Sequence, residues 1–264
     1  GSKVLTEFVK AGAPGEILYV AKPHIGTFRL VGMVEKMRAS IEALGGEFRF
    51  NSRVVDIEIE RDTGKDQMRG RVRGVTLADG TQIASDHVVL AIGHSARDTF
   101  RMLHERGVYI EAKPFSIGLR IEHPQSLIDA SRYGAYAGNA ILGAADYKLV
   151  HHCKNGRAVY SFCMCPGGTV VAATSEEGRV VTNGMSQYSR NERNANAGIV
   201  VGINPEDFPP GPLGGVAFQR HWEARAFAAG GSSYDAPAQL VGDFLARRPS
   251  RALGSVHPSY RPGI

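Results

Sequence analysis

The run from His87 to Ile92 limits the fold more than any other part of this sequence. After the histidine it consists of Val-Val-Leu-Ala-Ile, and a short apolar run of this kind is typical of a strand that is buried on both faces, as in a parallel sheet. Gly93 ends the run. Residues Ser95 to Arg106 then have the pattern of a short helix, with Ser95 as a possible N-cap and Gly107 as its stop. We therefore expect a layered α/β core.

An amphipathic helix is predicted ahead of this run. From Phe28 to Leu44 the apolar residues recur at intervals of three and four, with charged residues between them. Thr27 is suited to the N-cap position, and Gly45-Gly46 can supply the left-handed conformation in which many helices end. Both ends of this helix are therefore marked in the sequence.

Strands are predicted between the helix and the apolar run. The alternation of apolar residues from Glu47 to Glu60 indicates two short strands. Charged, glycine-punctuated residues from Arg61 to Arg71 indicate a hairpin tip. Strands from Gly70 to Leu77 and from Thr81 to Ile83 flank Asp79-Gly80, and Asp-Gly is among the strongest hairpin signals. We expect an antiparallel meander here.

The character of the chain changes after Lys113-Pro114, where short β-rich stretches alternate with glycine-rich turns. The predicted strands are Phe115 to Glu122, Ala158 to Met164, Thr169 to Ala173 and Ile199 to Ile203. Helices are predicted from Gln219 to Ala229 and from Ala236 to Arg247. The polar end, Arg248 to Ile264, is expected to be loosely held.

Composition excludes several classes of protein. The chain has 264 residues, and its 32 glycines and 13 prolines argue against a helical bundle. The net charge of +5 is spread along the chain, so we predict no nucleic-acid partner. No run approaches the roughly 18 apolar residues of a membrane span, so we predict no membrane association. Three cysteines cannot build a disulfide framework, which favours a reducing compartment, and we expect the protein in the cytoplasm.

Familiar catalytic and phosphate-binding motifs are absent from the sequence. It contains no Gly-x-Gly-x-x-Gly and no phosphate-binding loop, and we recognise no Ser-His-Asp order, His-Glu-x-x-His motif or carboxylate pair. Gly93, at the end of the predicted strand, either lets a ligand approach the backbone closely or serves only as the turn between strand and helix. The chemistry therefore does not reside in acid–base motifs.

Two polar segments are the remaining candidates for chemistry. Cys163 and Cys165 would share one face of a strand, where they could pack in the interior, face a substrate or act in redox chemistry. Cys-x-Cys is a poor zinc fingerprint, so we predict no metal site. Asn183, Arg193 and Asn196 offer fixed donors for a carboxylate, a phosphate or a flavin edge, or they only satisfy their own turns.

Several motifs together resemble a known family. They are His24-Ile25-Gly26-Thr27, His87 to Phe100, Lys113 to Pro124, Ser161 to Gly168 and Asn183-Gly184-Met185-Ser186. In this order, from roughly Ile17 to Phe244, they resemble the uncharacterised bacterial FAD-dependent dehydrogenases, also labelled NAD(FAD)-utilising dehydrogenases. These are two-domain flavoproteins related to glutathione-reductase-like enzymes.

The resemblance implies a fold, a cofactor and a set of contacts. It implies an α/β (α+β) chain in which residues 1–112 form part of a Rossmann-like FAD-binding domain. Residues 113–264 would form a β-rich substrate domain with C-terminal helices. FAD would be the cofactor and NAD(P)H an electron donor. The residues implied to contact FAD are Arg53, Val54 and Val55, near the adenine, and Ala91, Ile92, Gly93 and His94, beside the adenosine pyrophosphate.

The resemblance also implies an activity and a partner. The activity is hydride transfer between flavin and a small-molecule substrate. We place Cys163, Cys165, Asn183, Arg193 and Asn196 nearest that substrate, because polar groups that converge in a glycine-rich pocket can orient it. Two alternatives are a non-catalytic flavin-binding module and a thiol-redox protein. The opening Gly1-Ser2 resembles a cloning scar, so we expect an interior fragment that needs the missing parts of its own chain, and that by itself is inactive and lacks FAD.

Overall fold

The computed structural model describes residues 1–61 and 70–263. Its helices are α1 (Ser2–Lys10), α2 (Thr27–Ala43), α3 (Arg97–Glu105), α4 (Gln125–Tyr133), α5 (Gly214–Ala229) and α6 (Val241–Leu245). Its strands are β1 (Val54–Arg61), β2 (Gly70–Leu77), β3 (Gln82–Ala84), β4 (Phe115–Pro124), β5 (Val150–His152), β6 (Ala158–Cys165), β7 (Gly168–Ala172), β8 (Thr182–Ser186), β9 (Asn194–Ile203), β10 (Ala236–Pro237) and β11 (Pro262–Gly263). The expected mixture of helix and strand is confirmed.

The chain divides into two compact units. The larger unit contains residues 1–46, 114–204 and 220–264, and the smaller unit contains residues 47–113 and 205–219. This division groups residues 1–46 with the second half of the chain. The predicted boundary between an FAD-binding domain (1–112) and a substrate domain (113–264) is not tested by this division and stays a prediction.

The smaller unit is a three-stranded antiparallel sheet with α3 packed beside it. The sheet has the order β1-β2-β3, and Thr76 pairs with Gln82 across the turn at Asp79-Gly80. The Asp79 carboxylate accepts a hydrogen bond from the backbone N–H of Thr81 at 2.9 Å, which closes the turn as its Asp-Gly sequence predicts. The predicted tip from Arg61 to Arg71 lies largely on residues 62–69, outside the described residues.

The larger unit is built on a four-stranded antiparallel sheet. Its strand order is β4-β9-β6-β5, and separate two-stranded pairs join β7 to β8 and β10 to β11. A small apolar core lies beside it in residues 1–46, where Ile17 and Met33 are 2% and 4% exposed and pack with Ala11 and Ala13. The central strand β9 begins with five consecutive buried residues, so the polar side chains there are fixed in place.

The prediction of a buried strand from His87 to Ile92 is wrong. No strand forms there, and the side chains of Val89 and Leu90 are 91% and 48% exposed. A strand is stable only when neighbouring strands satisfy its backbone groups and other elements cover its faces. No sheet of the described residues includes this run, so its apolar composition alone does not make it a strand.

Several local predictions also need correction. Residues 47–60 form one strand rather than two, since β1 begins only at Val54. Gly26 rather than Thr27 is the N-cap of α2, and Ala96 rather than Ser95 is the N-cap of α3. The helix predicted from Ala236 to Arg247 shrinks to α6, because Ala236 and Pro237 pair with β11 instead.

The C-terminal segment is held firmly, contrary to expectation. The backbone N–H and the hydroxyl of Ser259 donate hydrogen bonds to the Glu122 carboxylate at 3.0 and 2.7 Å. The Ser259 hydroxyl also accepts a hydrogen bond from the backbone N–H of Val170 at 2.7 Å. The carbonyl of His257 accepts hydrogen bonds from Arg193 and Asn194. A polar segment can therefore be fixed by hydrogen bonds although it offers little apolar surface to bury.

Candidate functional sites

An apolar cavity of about 400 Å³ lies in the smaller unit. Its lining comes from the start of β1, the run after His87 and α3, and consists of Arg53, Val54, Ile57, Val75, Val88, Val89, Leu90, Ile92, Ala96, Asp98, Thr99, Met102 and Leu103. Three of the residues implied to contact FAD, Arg53, Val54 and Ile92, are among them. The structure thus brings together residues about forty positions apart in the sequence that the resemblance assigned to one cofactor.

A β-bulge shapes the backbone beside this cavity. Val54 pairs with Leu77 and Asp56 pairs with Thr76, so Val55 is an extra residue without a partner in the register. The extra residue of a bulge is left out of the ladder. The Arg53 carbonyl, by contrast, already accepts a hydrogen bond from the backbone N–H of Ala78 at 2.8 Å. Val55 is therefore the better placed of the two to offer backbone groups to a ligand.

An ion pair stands at the edge of the cavity. The Arg53 guanidinium donates to the Asp98 carboxylate, and this hydrogen bond holds the pKa of Asp98 below its usual value. Both side chains are more than half exposed, so the pair orients Arg53 more than it stabilises the fold.

The remaining residues implied to contact FAD lie in an exposed turn. Ala91, Gly93 and His94 are exposed and do not line the cavity. Gly93 has a φ of +66°, and a Cβ added there would meet no atom within 4 Å. Glycine is therefore required by the backbone conformation, and the space in front of it is open. The contacts of these residues with FAD stay predictions.

A second cavity, of about 670 Å³, is lined by charged residues of β1 and β2. Arg73 pairs with Glu60 and Asp86, and Arg106 pairs with Asp56. The hydrogen bond from Arg106 lowers the pKa of Asp56. Because these charged side chains pair with one another, they need no ligand, and we interpret them as ion pairs on the surface of the sheet.

A polar cluster occupies the larger unit where β4, β6, β8 and β9 meet. The Arg120 guanidinium on β4 donates from Nη1 to Asn196 Oδ1 at 2.7 Å and from Nη2 to Asn183 Oδ1 at 3.3 Å. Asn196 is completely buried, while Arg120 is partly buried and Asn183 is exposed. We call Arg120, Asn196, Asn183 and Cys165 the arginine cluster.

Gly184 is what allows the arginine cluster to close. A Cβ at position 184 would lie 2.1 Å from Asn196 Oδ1, 2.5 Å from Arg120 Nη1 and 2.9 Å from Cys165 Sγ. No side chain tolerates such contacts, so β8 can cover the cluster only with glycine at this position. Asn183 thus supplies a hydrogen-bond acceptor for Arg120, and Gly184 leaves the space that lets the strand approach closely enough.

The two cysteines do not share a strand face as predicted. The register between β6 and β9 shifts between Phe162 and Cys165, and Cys163 adopts a φ of +44°. This irregularity breaks the two-residue alternation of side chains. Cys165 therefore lies in the cluster, whereas Cys163 is exposed, and both thiols are free.

Burial controls the protonation of Cys165. Its Sγ lies 3.3 Å from the Cys163 carbonyl oxygen, and desolvation raises the pKa of its thiol, although the nearby Arg120 charge acts in the opposite direction. A raised pKa keeps the sulfur in the thiol form, which is a poor nucleophile. The structure gives no support to a thiolate redox site here.

Arg193 points toward another part of the larger unit. Its Nη2 donates to the carbonyl of His257 at 2.7 Å, and its Nε lies 3.4 Å from Asn194 Oδ1. These contacts secure the C-terminal segment. The structure therefore unites Cys165, Asn183 and Asn196 of the five predicted substrate residues, and the substrate role of all five stays a prediction.

The sequence analysis missed Arg120 and a histidine–tyrosine pair. His123 Nε2 lies 2.9 Å from the Tyr147 hydroxyl. Desolvation lowers the pKa of His123 and raises that of Tyr147, the latter against the Arg120 charge. An arginine within a predicted strand is the one signal that could have pointed to Arg120. Nothing in the sequence pairs residues 123 and 147.

Two motifs that carried the resemblance meet in the larger unit. His24 Nε2 lies 2.9 Å from the Gln187 carbonyl, and Thr27 Oγ1 donates to the Ser186 carbonyl at 3.3 Å. Between them, Gly26 has a φ of +84°, and a Cβ there would lie 2.4 Å from the backbone nitrogen of Tyr188. The start of α2 is thereby joined to the segment that follows β8.

Comparison with known proteins identifies the family. The family model described as "FAD-dependent protein, C-terminal domain-like" matches residues 114–264, which is more than half of the chain. The chain belongs to this FAD-dependent protein family. A second model, "Flavin containing amine oxidoreductase", matches residues 22–112. The boundary between these two matches falls next to the change of character after Lys113-Pro114.

A relative from Clostridium beijerinckii, named as an uncharacterized protein, is 51% identical over 264 residues. The alignment covers 99% of this chain and 48% of the relative. The chain therefore spans about half the length of the curated relative that it matches.

FAD is the cofactor of this family, and the smaller unit fits one end of it. The cavity of about 400 Å³ is lined mainly by apolar side chains, and the bulge leaves Val55 outside the strand pairing. A flat, apolar adenine needs such walls and a few backbone partners at its edge. The residues present thus fit the adenine end of the cofactor.

No metal site or membrane span emerges from the described residues. In residues 1–61 and 70–263, no group of three or more His, Cys, Asp or Glu side chains could hold a metal ion. Within the same residues, each helix is too short or too polar to cross a membrane.

Proposed function

We propose that this chain is part of an FAD-dependent oxidoreductase of the dehydrogenase type. In this proposal the enzyme transfers a hydride between a small organic substrate and flavin, and NADH or NADPH is an electron donor. The observation that carries the proposal is that two flavoprotein family models cover residues 22–112 and 114–264 almost without a gap. The convergence of Arg53, Val54 and Ile92 on one cavity supports it.

The smaller unit has the binding role in this proposal. The apolar cavity accepts the adenine and excludes water from it, and the backbone of Val55 is free of the register to meet the edge of the ring. The open turn from Ala91 to His94 allows a close approach to the adenosine pyrophosphate, because Gly93 carries no side chain.

The larger unit orients the substrate in this proposal. When bound, FAD supplies the ring that accepts or donates the hydride. Of the candidate substrate residues, Cys165, Asn183 and Asn196 lie together and supply directional contacts. Cys165 remains a neutral thiol and Tyr147 a neutral phenol, because burial raises the pKa of both groups. These two neighbours therefore offer polarity without negative charge.

The first test uses the full-length protein that contains this chain. We expect it to purify with bound FAD, and we expect its visible flavin absorbance to bleach when NADH or NADPH is added without oxygen. Bound FAD that stays oxidised with both donors, and with dithionite reducing it normally, would contradict the dehydrogenase assignment. That outcome would favour a non-catalytic flavin-binding module.

A second test concerns the cavity itself. Val54→Asp places a carboxylate in the apolar cavity near Asp98. Val54 is 37% exposed in this chain, and adenine bound in the cavity would cover it. Because covering a carboxylate with an apolar ring is costly, we expect the FAD content of the full-length protein to fall by at least about tenfold. Val150→Asp is the matched control, since Val150 is a strand valine that is 63% exposed. Equal FAD content in the two folded variants would remove the cavity from the cofactor site.

A further inference from the structure

We propose that Arg120 binds the carboxylate group of an anionic substrate. This inference rests on the proposed function, because it assigns a substrate class to the larger unit of the same enzyme. Arg120 is not among the substrate residues predicted from the sequence. Four features of its surroundings lead to the assignment.

The first feature is that Arg120 is a positive charge without a counter-ion among the residues that the structure describes. Its guanidinium is partly buried, and its hydrogen bonds go to two neutral amide oxygens, of Asn196 and Asn183. Within the described residues, no carboxylate forms a salt bridge with it. Buried charges are normally paired, since withdrawal from water is costly. A partly buried arginine held only by amides is therefore suited to an anionic ligand.

The second feature is that the nearest acidic side chain on the same strand is already occupied. Glu122 lies two residues from Arg120 on β4 and so shares its face. Its carboxylate accepts hydrogen bonds from Ser259 and from Asn194 Nδ2 at 2.8 Å. The C-terminal segment thus satisfies Glu122, and the positive charge of Arg120 is left for a ligand.

The third feature is an unsatisfied donor inside the cluster. Asn196 is completely buried, and its Nδ2 has no hydrogen-bond partner in the described residues. A buried donor without a partner is costly, because it has lost its hydrogen bonds to water. Its Oδ1 is fixed by Arg120, so the amide cannot rotate to hide its donor. A bound acceptor beside the guanidinium would satisfy it.

The fourth feature is the shape of the donor group. Arginine presents a planar fork that matches the two oxygens of a carboxylate. Asn183 and Asn196 fix the plane of this fork by holding Nη2 and Nη1 from two strands. A fork held in advance loses little side-chain entropy on binding. This arrangement favours a planar carboxylate over a freely rotating anion.

The test measures anion binding directly, without turnover. The full-length protein with its cofactor is titrated with 4-fluorobenzoate, and binding is followed by the fluorine NMR signal of the probe. We expect saturable binding to the wild type. Arg120→Gln should abolish it, and Arg120→Lys should weaken it, because an ammonium lacks the planar fork. Arg132→Gln is the control, since Arg132 is an exposed arginine of α4.

Asn183→Asp gives a second and gentler test, because Asn183 is exposed and its replacement does not threaten the core. The new carboxylate would neutralise Arg120 from within, so we expect affinity for 4-fluorobenzoate to fall by at least about tenfold. Asn139→Asp makes the same change in an exposed loop, where Oδ1 also accepts a backbone hydrogen bond. Its affinity should stay within about twofold of the wild type, well below a tenfold change of about 1.4 kcal/mol.

Each other outcome counts against the inference. Absent binding to the wild type, or unchanged binding to folded Asn183→Asp, would overturn it. Inorganic phosphate and acetate are compared as competitors of 4-fluorobenzoate. If phosphate displaces the probe at a lower concentration than acetate does, the cluster binds phosphate and the proposed substrate class is overturned. Flavin reduction by NADH and by NADPH is recorded on the same samples. Reduction without probe binding refutes only the Arg120 assignment, while probe binding without reduction refutes only the oxidoreductase.

Discussion

Burial sets the protonation of several single residues around the arginine cluster. His123 and Tyr147 form a hydrogen-bonded pair. Burial lowers the pKa of His123 and raises that of Tyr147, so it favours the neutral form of both. Nδ1 of His123 is buried and has no partner in the described residues. Desolvation disfavours the charged form of His123, and it outweighs the backbone hydrogen bonds and the Glu122 charge, which favour that form.

A pH dependence of stability follows from His123. Its folded pKa lies below the unfolded value of about 6.5, so the unfolded chain takes up the proton first as the pH falls. The free energy of unfolding should therefore decrease below about pH 6.5, and His123→Gln should lessen this decrease. Urea unfolding at about pH 8 and pH 5 measures it. His87→Gln, at an exposed position, should retain the wild-type slope, and a wild-type slope in His123→Gln would contradict the prediction.

Irregularities in two strands, β1 and β6, determine where residues of the two candidate sites lie. The bulge in β1 removes Val55 from the register beside the apolar cavity. The irregularity in β6 turns Cys163 outward and leaves Cys165 in the arginine cluster. Bulges aim side chains in directions that regular alternation does not allow, and both irregularities occur at candidate sites.

The irregularity in β6 has a measurable cost. Cys163 has a φ of +44°, a conformation that strains residues with a Cβ. Cys163→Gly should relieve this strain and raise the free energy of unfolding by up to about 1 kcal/mol, the gain being limited by the greater freedom of glycine in the unfolded chain. Urea denaturation measures the change. Cys153→Gly, at a position with ordinary φ, should lower stability, and equal effects of the two variants would argue against strain at Cys163.

The whole chain is held together by long-range polar contacts as well as by apolar cores. The clearest example in the larger unit is the C-terminal segment, which is held by Glu122, Arg193 and Asn194, all far away in the sequence. Hydrogen bonds to a charged partner are stronger than neutral ones, and both Glu122 and Arg193 are charged. Glu122 accepts from both the backbone N–H and the hydroxyl of Ser259.

Loss of the Glu122 charge should release the C-terminal segment. In Glu122→Gln we expect backbone amides from 256 to 263 to exchange about tenfold faster, because the charged acceptor of Ser259 is replaced by a neutral one. Hydrogen exchange read by mass spectrometry measures this. Glu35→Gln, at an exposed position of α2, should leave the segment unchanged. Unaltered exchange in Glu122→Gln would show that other contacts suffice.

Local elements were predictable wherever neighbouring residues decide the conformation. Four local features depend on periodicity, caps or turn residues close by. They are the helix after Gly26, the strand from Gly70 to Leu77, the Asp79-Gly80 turn and the short helix that ends before Gly107. The boundaries of α2 and α3 were off by one or two residues, because Thr27 and Ser95 hydrogen-bond elsewhere and do not cap. The later helices were predicted less well, since α5 begins at Gly214 rather than Gln219 and α6 covers only Val241–Leu245.

The long-range arrangement was not predictable in the same way. The run after His87 has the composition of a buried strand, yet a strand also needs partners, and composition does not state whether they are present. The same holds for Arg120, whose role depends on amides from β8 and β9. The sequence alone indicated the flavoprotein family and the local elements, because motifs and turns are encoded by residues close to one another in the chain. Tertiary structure alone decided which side chains lie together, because pairing across strands depends on register and burial over the whole chain.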